Sequence, residues 1–142
     1  MIQRYVSKIS GPLLDRMNIH IEVPALKYKE LRAPSSPEDS ISVRGRVIAA
    51  KNKQVERFRE ERKTYCNAQI APKLIRTHGA ISAGGEKLLE NAVTRLGLSA
   101  RTHDRILKVA RTTADLDASV DIIPKHLSET IQYRTLDRSY RF

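Results

Sequence analysis

Helix start and stop signals recur at short intervals through most of this chain, and they constrain its fold more than any other feature. Ser82 opens a stretch with Leu88, Leu89, Ala92, Val93 and Leu96 at helical spacing, and Gly97 closes it. Ser99 then caps a run to about Leu116 whose Ile106, Leu107, Ala110 and Ala114 share one face. A short helix is predicted around Ala71–Thr77, stopped by Gly79, and a last one from near Pro124, carrying Leu127, Ile131 and Leu136. Earlier, Ser36-Pro-Glu-Asp39 reads as an N-cap, a proline at the first helical position and two acids on the positive end of a helix dipole. Ile41, Ile48 and Val55 recur every seven residues with Val47 and Phe58 beside them, so this helix is predicted to reach about Arg62. Gly45 inside it costs ~1 kcal/mol relative to Ala, which suggests a close packing contact there.

One segment has a different period. Ile19, Ile21 and Val23 alternate with His20 and Glu22, as in a half-buried strand, and Pro24 closes the stretch. A strand needs a sheet, and no second convincing strand follows. The expectation is therefore a mainly α chain: residues 1–35 form a short strand or extended arm left from a longer protein, and residues 36–142 form a helical bundle. Aromatic residues make up only 5% and there is no Trp, so the core must rest on Leu, Ile, Val and Ala, which suits helix packing.

The net charge of +10 favours polyanionic partners, while a merely solvated basic face accounts for the same number. No apolar run reaches the ~20 residues that span a bilayer, so no membrane partner is expected. With Cys66 alone, no internal disulfide forms, and a reducing cytoplasm is the natural compartment. His20, His78, His103, His126 and Cys66 include no pair at i, i+3 or i, i+4, so no metal site is expected. No nucleophile has a base at recognisable spacing. Gly79-Ala-Ile-Ser-Ala-Gly-Gly-Glu-Lys87 fails as a phosphate loop, because Gly-Glu rather than Lys-Ser or Lys-Thr follows its second loop glycine, Gly84.

Two stretches carry more than fold information. Ser10-Gly-Pro-Leu-Leu-Asp-Arg-Met-Asn-Ile-His-Ile-Glu-Val23 sets Arg16 just before the alternating segment. Leu98-Ser-Ala-Arg-Thr-His-Asp-Arg-Ile-Leu-Lys-Val-Ala-Arg-Thr112 sets Arg101 in the first turn of its helix, where a cation opposes the dipole at a cost of about 0.3–1 kcal/mol. On the residues alone, Arg16 is an exposed cation beside Asp15, and Arg101 one of a solvated basic row with Arg105 and Lys108. From Ser7 to Arg138, however, the chain resembles the magnesium-chelatase-like AAA+ ATPases, in particular their bacterial competence-protein branch. Asn67-Ala-Gln-Ile-Ala-Pro-Lys-Leu-Ile75 and Gln132-Tyr-Arg-Thr-Leu-Asp-Arg138 resemble signatures of that family's C-terminal lid, to which a structural role is assigned. Tyr133 and Arg134 are read as packing and salt-bridge residues. Met17 and Asn18 stand where the family more usually has Ile and Asp.

The resemblance implies that Arg16 is a catalytic arginine finger reaching ATP held by a neighbouring subunit. It implies that Arg101 is the sensor-2 residue on the ATP phosphate of its own subunit. ATP and Mg2+ would be bound in the full-length parent, by an N-terminal AAA+ core, and the parent would form a homo-oligomeric ring, a hexamer, that remodels DNA or a protein partner. The chain alone, without that core, is expected to be inactive and to bind nucleotide weakly or not at all. Arg44, Lys51 and Arg59, in the most basic helix, are the candidates for DNA phosphates. The alternatives are a stand-alone basic helical module that binds nucleic acid, and a scaffold with no link to nucleotide.

Overall fold

The computed structural model of the chain describes residues 10–14, 16–21, 23–25 and 38–134. One helical turn, α1 (Gly11–Leu14), lies in the N-terminal arm. The bundle comprises α2 (Ser40–Arg57), a 3-10 turn (Asn67–Gln69), α3 (Pro72–His78), α4 (Ala83–Leu96), α5 (Ala100–Leu116) and α6 (Pro124–Gln132). Among the described residues there is no β-strand, and Ile81 and Ile122 alone form an isolated parallel bridge.

The capping residues act as their chemistry dictates. The Ser82 hydroxyl accepts from the Gly85 N–H at 3.3 Å, and that of Ser99 from the Thr102 N–H at 3.2 Å. Gly97 ends α4 in the left-handed region, φ 56°, so that the Leu98 N–H reaches back to the Val93 carbonyl. The same closure ends α5, where the left-handed residue is Ala118, φ 56°, and the Ser119 N–H reaches the Ala114 carbonyl.

Helix α5 is the axis of the bundle, packed against α2, α3, the 3-10 turn and α6, while α6 also packs on α4. Ile106, Leu107, Ala110 and Ala114 on α5 meet Phe58, Ile70, Ile75, Leu89, Ile122 and Leu127 in one continuous core. Gly85 lies under Leu127, and a Cβ there would stand 2.9 Å from Leu127 Cδ1 and 3.3 Å from Ile81 Cβ.

Several expectations need correction. Ser36 and Pro37 lie outside the described residues, and α2 begins at Ser40 with Asp39 as its N-cap, whose carboxylate accepts from the Ser42 N–H at 2.7 Å. The helix ends at Arg57 rather than Arg62, because Phe58 turns into the core and sets its ring edge-on against His78 at 5.1 Å. Only Ala50 of α2 is buried; Ile41, Ile48 and Val55 are 81%, 47% and 57% exposed. Gly45 marks no close contact, for a Cβ there would meet nothing within 4 Å.

The arm inverts its expected pattern. Ile19, Ile21 and Val23 face outward while His20 is buried, because the arm lies on the end of α6 rather than in a sheet. The His20 N–H donates to the Tyr133 carbonyl at 2.7 Å, and the buried Arg134 guanidinium donates to the Met17 carbonyl at 2.9 Å. The Tyr133 hydroxyl donates to Glu129 at 2.7 Å. Leu136 lies outside the described residues.

Candidate functional site

Arg16 follows the α1 turn, and its N–H donates to the Leu13 carbonyl at 3.0 Å. The next residue is the one held by Arg134, so the backbone carrying Arg16 is tied to the C-terminal end of the bundle while its side chain stays exposed. Arg101 is the second residue of α5, also exposed, in a helical turn fixed by the Ser99 cap and the buried Thr102. Among the described residues, neither Arg16 nor Arg101 takes part in an ion pair.

Arg16 borders an open cleft of about 330 Å³ with Asn18, Ile19, Ala68, Arg105, Lys108 and Thr112, and Arg101 is not among its described lining residues. Arg105 and Lys108 follow Arg101 along one face of α5, about 6 and 10 Å further along its axis. The sequence shows that these three cations share a side of the helix, but only the fold brings Arg16 to it.

Sequence reasoning missed an ionic knot behind this face. The Asp115 carboxylate is buried and accepts from both terminal nitrogens of Arg57, one at 2.8 Å, from Asn67 Nδ2 at 2.8 Å, and from Arg111 at 3.2 Å. Burial pushes this carboxyl up, but the hydrogen bonds from Arg57 and Asn67 and the charges of Arg57 and Arg111 outweigh it and hold it below the usual range. Burial also pulls Arg111 down, opposed by Asp115, and its guanidinium donates to the Val120 and Ser119 carbonyls at 2.7 and 2.9 Å. Asn67 accepts from Arg57 at 3.0 Å, and its N–H donates to Gln54. One acid thus joins α2, the 3-10 turn, α5 and the loop after α5. The i, i+4 pair Arg111 and Asp115 was its single readable signal.

A smaller cluster closes α6. Buried His126 accepts the Ile123 N–H at Nδ1, and its Nε2 lies 3.0 Å from Asp117. That bond, with Lys125 at 3.2 Å, lowers the Asp117 carboxyl. His103 pairs with Asp104 at 3.2 Å, and among the described residues no nucleophile joins the pair. Arg44, Lys51 and Arg59 are all exposed, and Arg59 makes a long 3.5 Å contact to Glu56. Arg44 and Lys51 lie among Ile41, Val47, Ile48 and Val55 on the face of α2 turned from the bundle. The described residues gather no set of three or more metal-ligating side chains, and no described helix is long and apolar enough to cross a membrane.

That the capped helical bundle is the lid region of a magnesium-chelatase-like AAA+ protein is shown by comparison with known proteins. The chain belongs to that family: residues 37–134 match the model described as magnesium chelatase, subunit ChlI C-terminal, and residues 1–31 match that of magnesium chelatase, subunit ChlI. It is 38% identical over 138 residues to competence protein ComM of Haemophilus influenzae, covering 96% of this chain and 26% of that protein. It is 37% identical over 136 residues to the uncharacterized protein YifB of Salmonella typhimurium, and 38% over 136 to YifB of Escherichia coli, covering 95% of this chain each time. The chain spans 26% of the length of each of these relatives.

Proposed function

We propose that the chain works as the moving lid of a ring-forming AAA+ ATPase, with residues 1–35 as the end of the ATPase core and residues 36–142 as the lid. Arg16 acts in trans as the arginine finger, and Arg101 reads the phosphate of the ATP in its own subunit. A fixed guanidinium suits both tasks, since it keeps its proton and matches phosphoryl oxygens with paired donors. The observation that carries this reading is the contrast among the arginines. Arg57, Arg111 and Arg134 are used within the bundle, whereas Arg16 and Arg101 stand exposed on anchored backbone.

ATP brings the bond that is cleaved, and Mg2+, held by the core, neutralises its phosphates; this chain supplies two positioned cations and the rigid body that moves them. The assembly is a hexameric ring in the cytoplasm, and branched DNA is the substrate we favour, on the positive charge and the competence protein among the relatives. Alone, the chain binds nucleotide at best in the millimolar range. The test is ATP turnover by the chain joined to an ATP-binding core: Arg16→Ala and Arg101→Ala should each lower kcat about 100-fold or more. Unchanged turnover in both variants refutes the reading.

A second reading draws on the exposed Arg44, Lys51 and Arg59 and takes the chain as a nucleic-acid-binding module by itself. Fluorescence anisotropy with duplex and single-stranded DNA separates the two. Tight binding by the chain alone, falling steeply with salt, supports the module; its absence supports the lid.

A further inference from the structure

Two surfaces of the bundle are opposite in charge, and both are open to solvent. The first is the N-terminal part of α2. Residues 40–49 are exposed on every side, about three turns of helix with little support from packing. Ile41, Ile48 and Val55 form an exposed stripe turned from the bundle, with Arg44 and Lys51 along one flank of it. The second surface is a cleft of about 800 Å³ between α3, α4 and α5. Ile75, Ile81, Leu89, Val93 and Leu107 make its floor, and Glu86, Glu90 and Asp104 border it against one guanidinium, that of Arg76, and His103, which pairs with Asp104. Glu86 and Glu90 are like charges at i, i+4, an arrangement that repels until a cation meets it. Both are exposed, and among the described residues neither takes part in an ion pair.

We propose that the cleft is a docking site for α2 of a second copy of this chain. Ile41 and Ile48 of one copy rest on the apolar floor of the next, and Arg44 and Lys51 meet Glu86 and Glu90. An amphipathic helix with anchors at i and i+7 laid in an apolar groove is a recurring mode of recognition, and the charges here fix which helix fits. Arg44 and Lys51 lie about 10 Å apart along α2, and Glu86 and Glu90 about 6 Å apart along α4, a difference their long side chains span. Helix and cleft are different surfaces of one chain, so the contact is head-to-tail, the kind that closes into a ring when its rotation allows. It adds to the ring proposed above a surface that joins neighbouring lids, and rests on that reading for closure alone.

The test is sedimentation velocity of the nuclease-treated chain at low salt, over concentrations up to about 1 mM. The chain should self-associate as concentration rises. Arg44→Glu with Lys51→Glu, and separately Glu86→Lys with Glu90→Lys, should each weaken association about tenfold or more. A chain carrying all four changes should regain it. Arg62→Glu with Lys63→Glu alters the net charge as the α2 pair does, outside that helix, and should leave association unchanged. All six side chains are exposed, so unchanged thermal melts confirm that the variants fold. A chain that stays monomeric at every concentration, or associates regardless of either charge reversal, overturns the proposal. So does loss with the α2 pair alone, which means that α2 meets another α2, and so does association seen only before nuclease treatment, which means that nucleic acid bridges the copies. ATP turnover in the joined assembly keeps this apart from the reading of Arg16: turnover indifferent to Arg16→Ala refutes the finger and spares the contact, whereas association indifferent to the reversals refutes the contact and spares the finger.

Discussion

Asp115→Ala should be among the most destabilising single changes in the bundle. The Asp115 carboxylate is fully buried and is met by Arg57, Asn67 and Arg111, the last with a side chain only 5% exposed. Removing the acid leaves Arg111 with its two carbonyl partners but no counter-charge, and it strips Arg57 of its main partner. Breaking a buried pair by deleting one member costs about 3–5 kcal/mol. Against a total stability of about 5–15 kcal/mol, that is a large share. For a chain of this size it corresponds to a fall in Tm on the order of 10–15 °C. Urea unfolding followed by circular dichroism measures it directly, with Glu56→Ala as the control. Glu56 pairs with Arg59 at 3.5 Å on the surface, so its loss should cost under about 0.5 kcal/mol. If Asp115→Ala costs less than about 1 kcal/mol with an unchanged m value, the knot does not hold the helices together as argued.

Other expectations follow from the same geometry. Gly85→Ala pushes a methyl against Leu127 and Ile81 and should cost about 1–3 kcal/mol, whereas Gly45→Ala enters open space on α2 and should gain about 1 kcal/mol, both read by chemical denaturation. Ala118→Gly relieves a left-handed alanine and should raise stability by about 1 kcal/mol in the same assay. Asp115 and Asp117 have folded-state pKa values below their unfolded ones, so the folded state binds fewer protons. Their contribution is complete above about pH 4 and should be lost as pH falls through the lower folded values, and Asp115→Asn should flatten that acid limb of a stability–pH profile.

The parts of the fold that were legible in sequence are those set by local chemistry. Ser82, Gly97, Ser99 and Pro124 mark helix ends because each acts on backbone groups within a few residues. The stripe of Ile41, Ile48 and Val55 shows the limit of periodicity, which tells which residues share a face but not whether anything covers it. The alternation at Ile19–Val23 misled for a related reason. What orients the arm is Arg134, 117 residues away, and it engages the backbone of Met17 rather than any alternating side chain. Arg57 and Asp115 stand 58 residues apart, so their pairing left no spacing to find. Arg16 and Arg101 were singled out by likeness to a family, and the structure adds the cleft that Arg16 shares with Arg105 and Lys108.

The claim on which the account turns is that Arg16 completes an ATP site belonging to another subunit. Subunit mixing tests it most directly, using the chain joined to an ATP-binding core. Subunits with Arg16→Ala are combined with subunits whose phosphate loop is disabled, each inactive alone, and ATP turnover is measured across mixing ratios. Turnover should reappear in the mixture, where an intact loop meets an intact Arg16 across an interface, and peak near equal proportions. A mixture that stays inactive at every ratio, or an Arg16→Ala protein that turns over ATP unaided, contradicts it.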